Sequence, residues 1–293
     1  MCRWLAYSGS PVLIEDLLYK PQHSLIVQSM HATLGVEPTN GDGFGLGWYG
    51  DRATPGLFRS TEPAWNDRNL RDVAEQVTSR CVLAHIRAST GTAVQFTNCH
   101  PFRHGQWLWM HNGLINGFRA LKRDLVLAVD PSLFPDIEGS TDSEVLFYLA
   151  LTFGLEDDPP TAVARAVGLV EAIGREHGEP FPMQGTIATT DGETVYAFRY
   201  SSEGRSRSLF QSTDASTLRQ QYPDNPLLQK ISDRTRLVVS EPLGDLKGAW
   251  REVPESACVM IHDGEEEQRP FVPVAPARIA IPGQAAVSGQ VVG

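Results

Sequence analysis

The spacing of apolar positions changes near the middle of the chain, from mixed helical and strand-like patterns to successive short strands. In the first half, residues 80–87 and 106–111 are short apolar runs, the first bounded by arginines and the second rich in tryptophan, and both predict buried strands. Apolar residues recur at three- and four-residue intervals over 69–78, 118–129, 145–153 and 163–173, which predicts four helices. Thr141-Asp142-Ser143-Glu144 has the Thr-x-x-Glu form of a capping box and places a helix start just before Val145. The run Trp107-Leu108-Trp109 reads as core.

Beyond Pro182 the pattern is that of strands. Residues 185–190 and 194–200 flank a turn at Asp191-Gly192 and predict a hairpin, and further strands are expected at 209–212, 237–240 and 258–262. A polar, mobile loop is expected over 213–233. From Gly264 an acidic triplet leads into a Pro-, Ala-, Val- and Gly-rich segment. The division expected is one domain over 2–262 and an extended C-terminal tail over 263–293.

Composition narrows the function classes. With 293 residues, 41% of them hydrophobic and 20% charged, the chain has enough apolar material for a sizeable core. A formal net charge of -10 argues against nucleic acid, because phosphate backbones are bound by clustered cations. The N-terminal residues lack an apolar signal region, and no apolar run is long enough to span a membrane, so a cytoplasmic location is expected. Cys2, Cys81, Cys99 and Cys258 lie far apart and are expected as reduced thiols.

Two patterns resemble sites and are set aside. Gly45-Leu46-Gly47-Trp48-Tyr49-Gly50 matches the glycine spacing of a dinucleotide loop, but the segment after it, with Pro55 and Gly56, cannot form the helix such a loop must open. Cys99, His100, His104 and His111 have ligand-like spacing, but Pro101 breaks the helix that the spacing would need, so no metal is expected. Asn98 and His100 are instead expected to brace a loop through hydrogen bonds. His111-Asn112-Gly113 taken alone reads as a turn.

Six signals in order carry more weight together: Cys2 behind Met1, Asp42-Gly43-Phe44-Gly45, His85-Ile86-Arg87-Ala88-Ser89-Thr90-Gly91, Asn98-Cys99-His100-Pro101-Phe102, His111-Asn112-Gly113, and Ser140-Thr141-Asp142-Ser143-Glu144. This series resembles the glutaminase domain of class-II glutamine amidotransferases, and the likeness extends to Ser240-Glu241-Pro242-Leu243. The opening Met-Cys-Arg-Trp-Leu, without a synthase domain, is similar to the small stand-alone branch that includes γ-glutamyl amidohydrolases such as the ergothioneine-pathway enzyme. The resemblance implies an α+β, four-layer αββα Ntn-hydrolase fold, in which two packed antiparallel sheets are covered by helices. It implies catalysis by Cys2 once Met1 is removed, with Asn112 and Gly113 as oxyanion donors. Arg87, Thr90 and Gly91 would receive the substrate α-carboxylate and Asp142 the α-ammonium group; Gly91 stands where many relatives carry His.

The chemistry agrees with these residue types. A terminal cysteine joins a thiol to an α-amine that titrates at roughly 7.7–8.0 and can take the thiol proton. No cofactor is required. Three functions are compatible with the motifs: an amidohydrolase acting on glutamine or another small γ-glutamyl substrate, a glutaminase subunit whose partner is a separate synthase, and a catalytically silent binding module.

Overall fold

The computed structural model describes residues 2–31, 39–89, 91–226 and 228–276. In chain order its strands are β1 (Arg3–Leu13), β2 (Phe44–Trp48), β3 (Gly56–Ser60), β4 (Thr78–Ile86), β5 (Phe102–His104), β6 (Trp107–Ile115), β7 (Met183–Thr190), β8 (Thr194–Ser201), β9 (Phe210–Ser212), β10 (Arg236–Val239), β11 (Trp250–Glu252), β12 (Ala257–His262) and β13 (Glu265–Pro270). Its helices are α1 (Ile14–Leu18), α2 (Leu25–Met30), α3 (Arg68–Gln76), α4 (Phe118–Leu127), α5 (Asp142–Thr152), α6 (Pro159–Glu176) and α7 (Ala215–Gln221).

Among the described residues the strands form a seven-stranded sheet, ordered β11-β9-β10-β1-β4-β2-β3, and a six-stranded sheet, ordered β13-β12-β8-β7-β6-β5. Alternation along β1 shows how the layers stack. Trp4 and Ala6 pack against Leu108, Met110, Ala188 and Val259 of the other sheet, whereas Leu5 and Tyr7 face Leu17, Leu25 and Leu70 of α1, α2 and α3. On the far side, α4, α5 and α6 cover the six-stranded sheet through Leu125, Phe147 and Val167. The result is the expected α+β fold with four αββα layers.

Glycine permits one close approach to β2. A Cβ on Gly45 of β2 would lie 2.0 Å from the His100 carbonyl oxygen, so only a bare backbone fits there. The glycine spacing that mimics a dinucleotide loop therefore belongs to a strand packed closely against its neighbour.

Several elements differ from expectation. His111-Asn112-Gly113 lies inside β6 rather than at a turn, since the strand runs on to Ile115 in register with β7. The segment expected to be a mobile loop contains α7, begun by Asp214, whose side chain accepts a hydrogen bond from the Thr217 N–H at 2.8 Å. Leu218 of that helix packs with Leu228 and Ala249. The sheet also continues past residue 262: Glu265–Pro270 is the edge strand β13, Phe271 is buried against Phe198, and the Val274 N–H reaches the Ala164 carbonyl at 3.0 Å. The rest of the segment read as a tail, 277–293, lies outside the described residues. No helix among the described residues is long and apolar enough to cross a membrane.

Candidate active site

Four hydrogen bonds bring the sequence motifs to one place. Cys2 sits just ahead of β1, half-buried, and its Sγ lies 3.4 Å from the Ala88 N–H and 3.5 Å from the Ala88 carbonyl, directly after Arg87. Asn112, on the other sheet, donates its side-chain amide to the Cys2 carbonyl at 2.9 Å. Asp142 accepts the Ile115 N–H at 2.8 Å, three residues along the same strand β6.

The backbone of β6 sets the direction of its N–H groups. The Asn116 N–H points to the Pro182 carbonyl on the β7 side, while the Ile115 N–H points the opposite way, to Asp142. Strand N–H groups alternate, so the Gly113 N–H shares the Ile115 edge. No larger residue fits at this point, because a Cβ on Gly113 would lie 2.0 Å from the Gln184 carbonyl oxygen and 2.5 Å from His111 Nε2.

Arg87 is only 4% exposed. Its Nη2 donates to the hydroxyls of Thr92 at 2.6 Å and Ser89 at 3.1 Å, and its Nη1 to the Asp42 carbonyl at 3.4 Å. All these acceptors are neutral, and among the described residues no carboxylate forms an ion pair with this guanidinium. Asp42 closes the loop by accepting the Ser89 N–H at 2.7 Å. Gly91 turns the same loop with φ of 79° at its exposed edge, whereas Thr90 lies outside the described residues.

Asp142 opens α5. Thr141 is the N-cap, its hydroxyl accepting the Glu144 N–H at 3.2 Å, as half of the expected capping box. Glu144 does not complete the box; its carboxylate takes the N–H groups of Glu138 and Gly139 and so shapes the preceding turn. Asn98 braces that turn as expected, accepting the Ser140 N–H at 2.9 Å and donating to the Ala93 carbonyl at 3.0 Å. His100 does not share the task. Its ring nitrogens have no hydrogen-bond partner among the described residues, and it lies tilted between His85 and Phe102, with ring centroids at 4.3 and 4.4 Å.

Burial raises the Cys2 thiol above its ordinary pKa, against the opposing pull of the Ala88 hydrogen bond and of Arg87 and Arg3. His85 is pushed down to about 3 by burial, then by Arg87 and His111, and His100 is lowered for the same kinds of reason. These imidazoles are neutral at pH 7. His104, from the discarded metal pattern, is at the surface, 3.5 Å from Asp136.

Several site contacts are not predicted by the motifs in which their residues stand. Ser89, Thr92 and Asp42 hold Arg87, and Ser143 joins Asp142 to His111. Arg3 donates to the Cys2 carbonyl at 3.0 Å while forming a buried ion pair with Glu241. Glu241 lay within the last of the resembling motifs, but its partner could not be read from spacing.

Comparison with known proteins fits this geometry. The family described as "Glutamine amidotransferases class-II" matches residues 22–278. The probable glutamine amidotransferase DUG3 of Saccharomyces cerevisiae is 35% identical over 295 residues, covering 89% of this chain and 82% of its own. The γ-glutamyl-hercynylcysteine sulfoxide hydrolase of Mycolicibacterium smegmatis is 30% identical over 245 residues, covering 80% and 93%. Among solved structures, a glutamine aminotransferase class-II domain protein from Silicibacter pomeroyi superposes with a TM-score of 0.70 at 35% identity, covering 93% of this chain and all of that one. The glutamine phosphoribosylpyrophosphate amidotransferase of B. subtilis shares the fold at 16% identity, with a TM-score of 0.61 over 94% of this chain and 50% of that one. The chain belongs to the class-II glutamine amidotransferases, a family of enzymes.

Proposed function

We propose that the protein is an amidohydrolase that cleaves the γ-amide of glutamine or of a small γ-glutamyl compound, with Cys2 as nucleophile after removal of Met1. The observation that carries this reading is the meeting of Cys2 with Asn112 at 2.9 Å and with the residue following Arg87 at 3.4 Å. Nucleophile, oxyanion donors and a cation for the substrate carboxylate then share one site.

The raised thiol pKa makes a base necessary, since the sulfur is protonated near neutral pH. Among the described residues, Sγ hydrogen-bonds only to the Ala88 backbone. The α-amine exposed by loss of Met1 is the base in reach. It takes the thiol proton as sulfur attacks the γ-carbonyl carbon, and the developing oxyanion is met by the Asn112 amide and the Gly113 N–H. Collapse breaks the C–N bond, and the ammonium returns the proton to the departing ammonia or amine. Water, deprotonated by the same amine, then attacks the thioester; glutamate leaves and the thiol is restored.

Substrate orientation follows from charge. The Arg87 fork suits the α-carboxylate and Asp142 the α-ammonium group. Gly91 belongs to the loop that carries the Arg87 ligands Ser89 and Thr92, and in this reading Gly91 and its sequence neighbour Thr90 border the carboxylate end. The name of the M. smegmatis relative supports a γ-glutamyl substrate.

The test is glutamate release from L-glutamine and from γ-glutamyl dipeptides, by purified protein whose intact mass shows loss of Met1, with Cys2→Ala as control. Release that depends on Cys2 is expected. Release only when a synthase is added would favour the ammonia-donating subunit. A processed protein that releases no glutamate under either condition would leave the silent binding module.

A further inference from the structure

Asp142 is held more firmly than a helix start requires. Its Oδ2 accepts the Ile115 N–H, and its Oδ1 accepts both the backbone N–H of Ser143 at 2.8 Å and the Ser143 hydroxyl at 3.3 Å. The helix cap is already supplied by Thr141. The Ser143 hydroxyl has a second neighbour, His111 Nδ1 at 2.8 Å. Ser143 and His111 are 5% and 1% exposed, so both are polar groups taken out of water. Burying such groups is costly unless they are satisfied by each other.

The hydroxyl has one proton. In the tautomer with the ring proton on Nδ1, the hydroxyl oxygen accepts from the imidazole and gives its own proton to Asp142, and the chain runs from His111 Nδ1–H to Ser143 Oγ–H to Asp142 Oδ1. The far side of the ring is fixed by missing side chains, since a Cβ on Gly113 or Gly185 would come within 2.5 or 2.3 Å of Nε2. The imidazole is therefore seated on the strand pair that bears the Gly113 donor. Strand β6 grips the Asp142 carboxylate twice, through the Ile115 N–H and through His111 and Ser143.

We infer that His111 and Ser143 are positioning residues that set the Asp142 carboxylate in register with the oxyanion donors of β6, so that the site selects substrates bearing a free α-ammonium group. This rests on the assignment of Asp142 under the proposed function. A bound γ-glutamyl group has a fixed span between its α-ammonium and its γ-carbonyl, and tying the α5 carboxylate to the strand that carries the oxyanion donors is what holds that span. A carboxylate free to rotate would satisfy the charge but not the distance.

The experiment compares Kd values for L-glutamate and for glutarate, which lacks only the α-amino group, by calorimetry on the full chain. The proteins are the wild type and the Asp142→Asn, Ser143→Ala, His111→Leu and His111→Asn variants. The wild type is expected to prefer glutamate and Asp142→Asn to lose that preference. Ser143→Ala, which removes a single oxygen and leaves the fold, and His111→Leu should each reduce the preference roughly tenfold, the effect of a lost hydrogen bond to a charged group, with glutarate binding unchanged. His111→Asn should recover part of it, because the asparagine amide can reach the hydroxyl. A merely structural role would weaken both ligands equally. If Asp142→Asn loses the preference while Ser143→Ala and His111→Leu keep it, the inference falls and the assignment of Asp142 stands. If Asp142→Asn keeps the preference, the assignment itself falls.

Discussion

The side-chain amide of Asn112 lies 2.9 Å from the backbone carbonyl of Cys2, although 110 positions separate them in the chain. The contact crosses from one sheet to the other and sets the amide beside the thiol-bearing residue. Asn112 is only 3% exposed, so its orientation is imposed by the surrounding protein.

Asn112→Ala is expected to lower kcat roughly 10²- to 10³-fold, the usual effect of removing one oxyanion donor, with little change in KM. Far-UV circular dichroism should be that of the wild type. A variant in which only KM rises would show that the amide binds the ground state and does not act on the transition state.

Arg87→Lys keeps the charge and loses the planar fork. The guanidinium is presented by Thr92 and Ser89, and a lysine ammonium cannot reproduce both contacts while gripping a carboxylate. KM is expected to rise by roughly one to two orders of magnitude, in line with the about 1.5–3 kcal/mol of a hydrogen bond to a charged group. Steady-state kinetics with glutamine or a γ-glutamyl dipeptide would measure this, and an unchanged KM would remove Arg87 from the carboxylate site.

Glu241→Gln tests the ion pair beneath Cys2. Arg3 and Glu241 are 1% and 3% exposed, and neutralising one leaves the other charge in the interior. Loss of one partner of such a pair costs about 3–5 kcal/mol, whereas replacing both by apolar residues is often neutral. Thermal unfolding should therefore show a lower midpoint for Glu241→Gln than for Arg3→Met combined with Glu241→Leu. The reverse order would mean that Glu241 is not held by its charge.

The sequence was most legible where chemistry and local pattern coincide. Arg87, Asn112 and Asp142 stand in short motifs, and the structure brings their segments together around Cys2. Strand β1 was not legible because residues Arg3–Ser8 are buried on both faces, so buried and exposed positions do not alternate along them. Strand β13 was missed for the opposite reason: its Glu-rich face is exposed at a sheet edge and reads as tail. The hydroxyls around Arg87 and the His111–Ser143 contact depend on segments meeting in space, which no spacing rule reports.

Stability should fall in mild acid because of the buried histidines. His85 is held at about 3 against an ordinary 6.5, and His100 is also lowered well below that value. The groups facing them are Arg87, Arg59 and the other imidazoles, all of which disfavour a further positive charge, with burial as the larger cause. The folded state thus binds fewer protons than the unfolded chain between these pKa values, so stability is fully present above pH 6.5 and is lost as pH falls toward 3. For one such group the slope is about 1.4 kcal/mol per pH unit inside the window. Thermal midpoints measured between pH 7.5 and 4.5 should decline below the upper edge of that window, and His85→Leu should flatten the decline. An equal decline in the variant would trace the acid sensitivity to other groups.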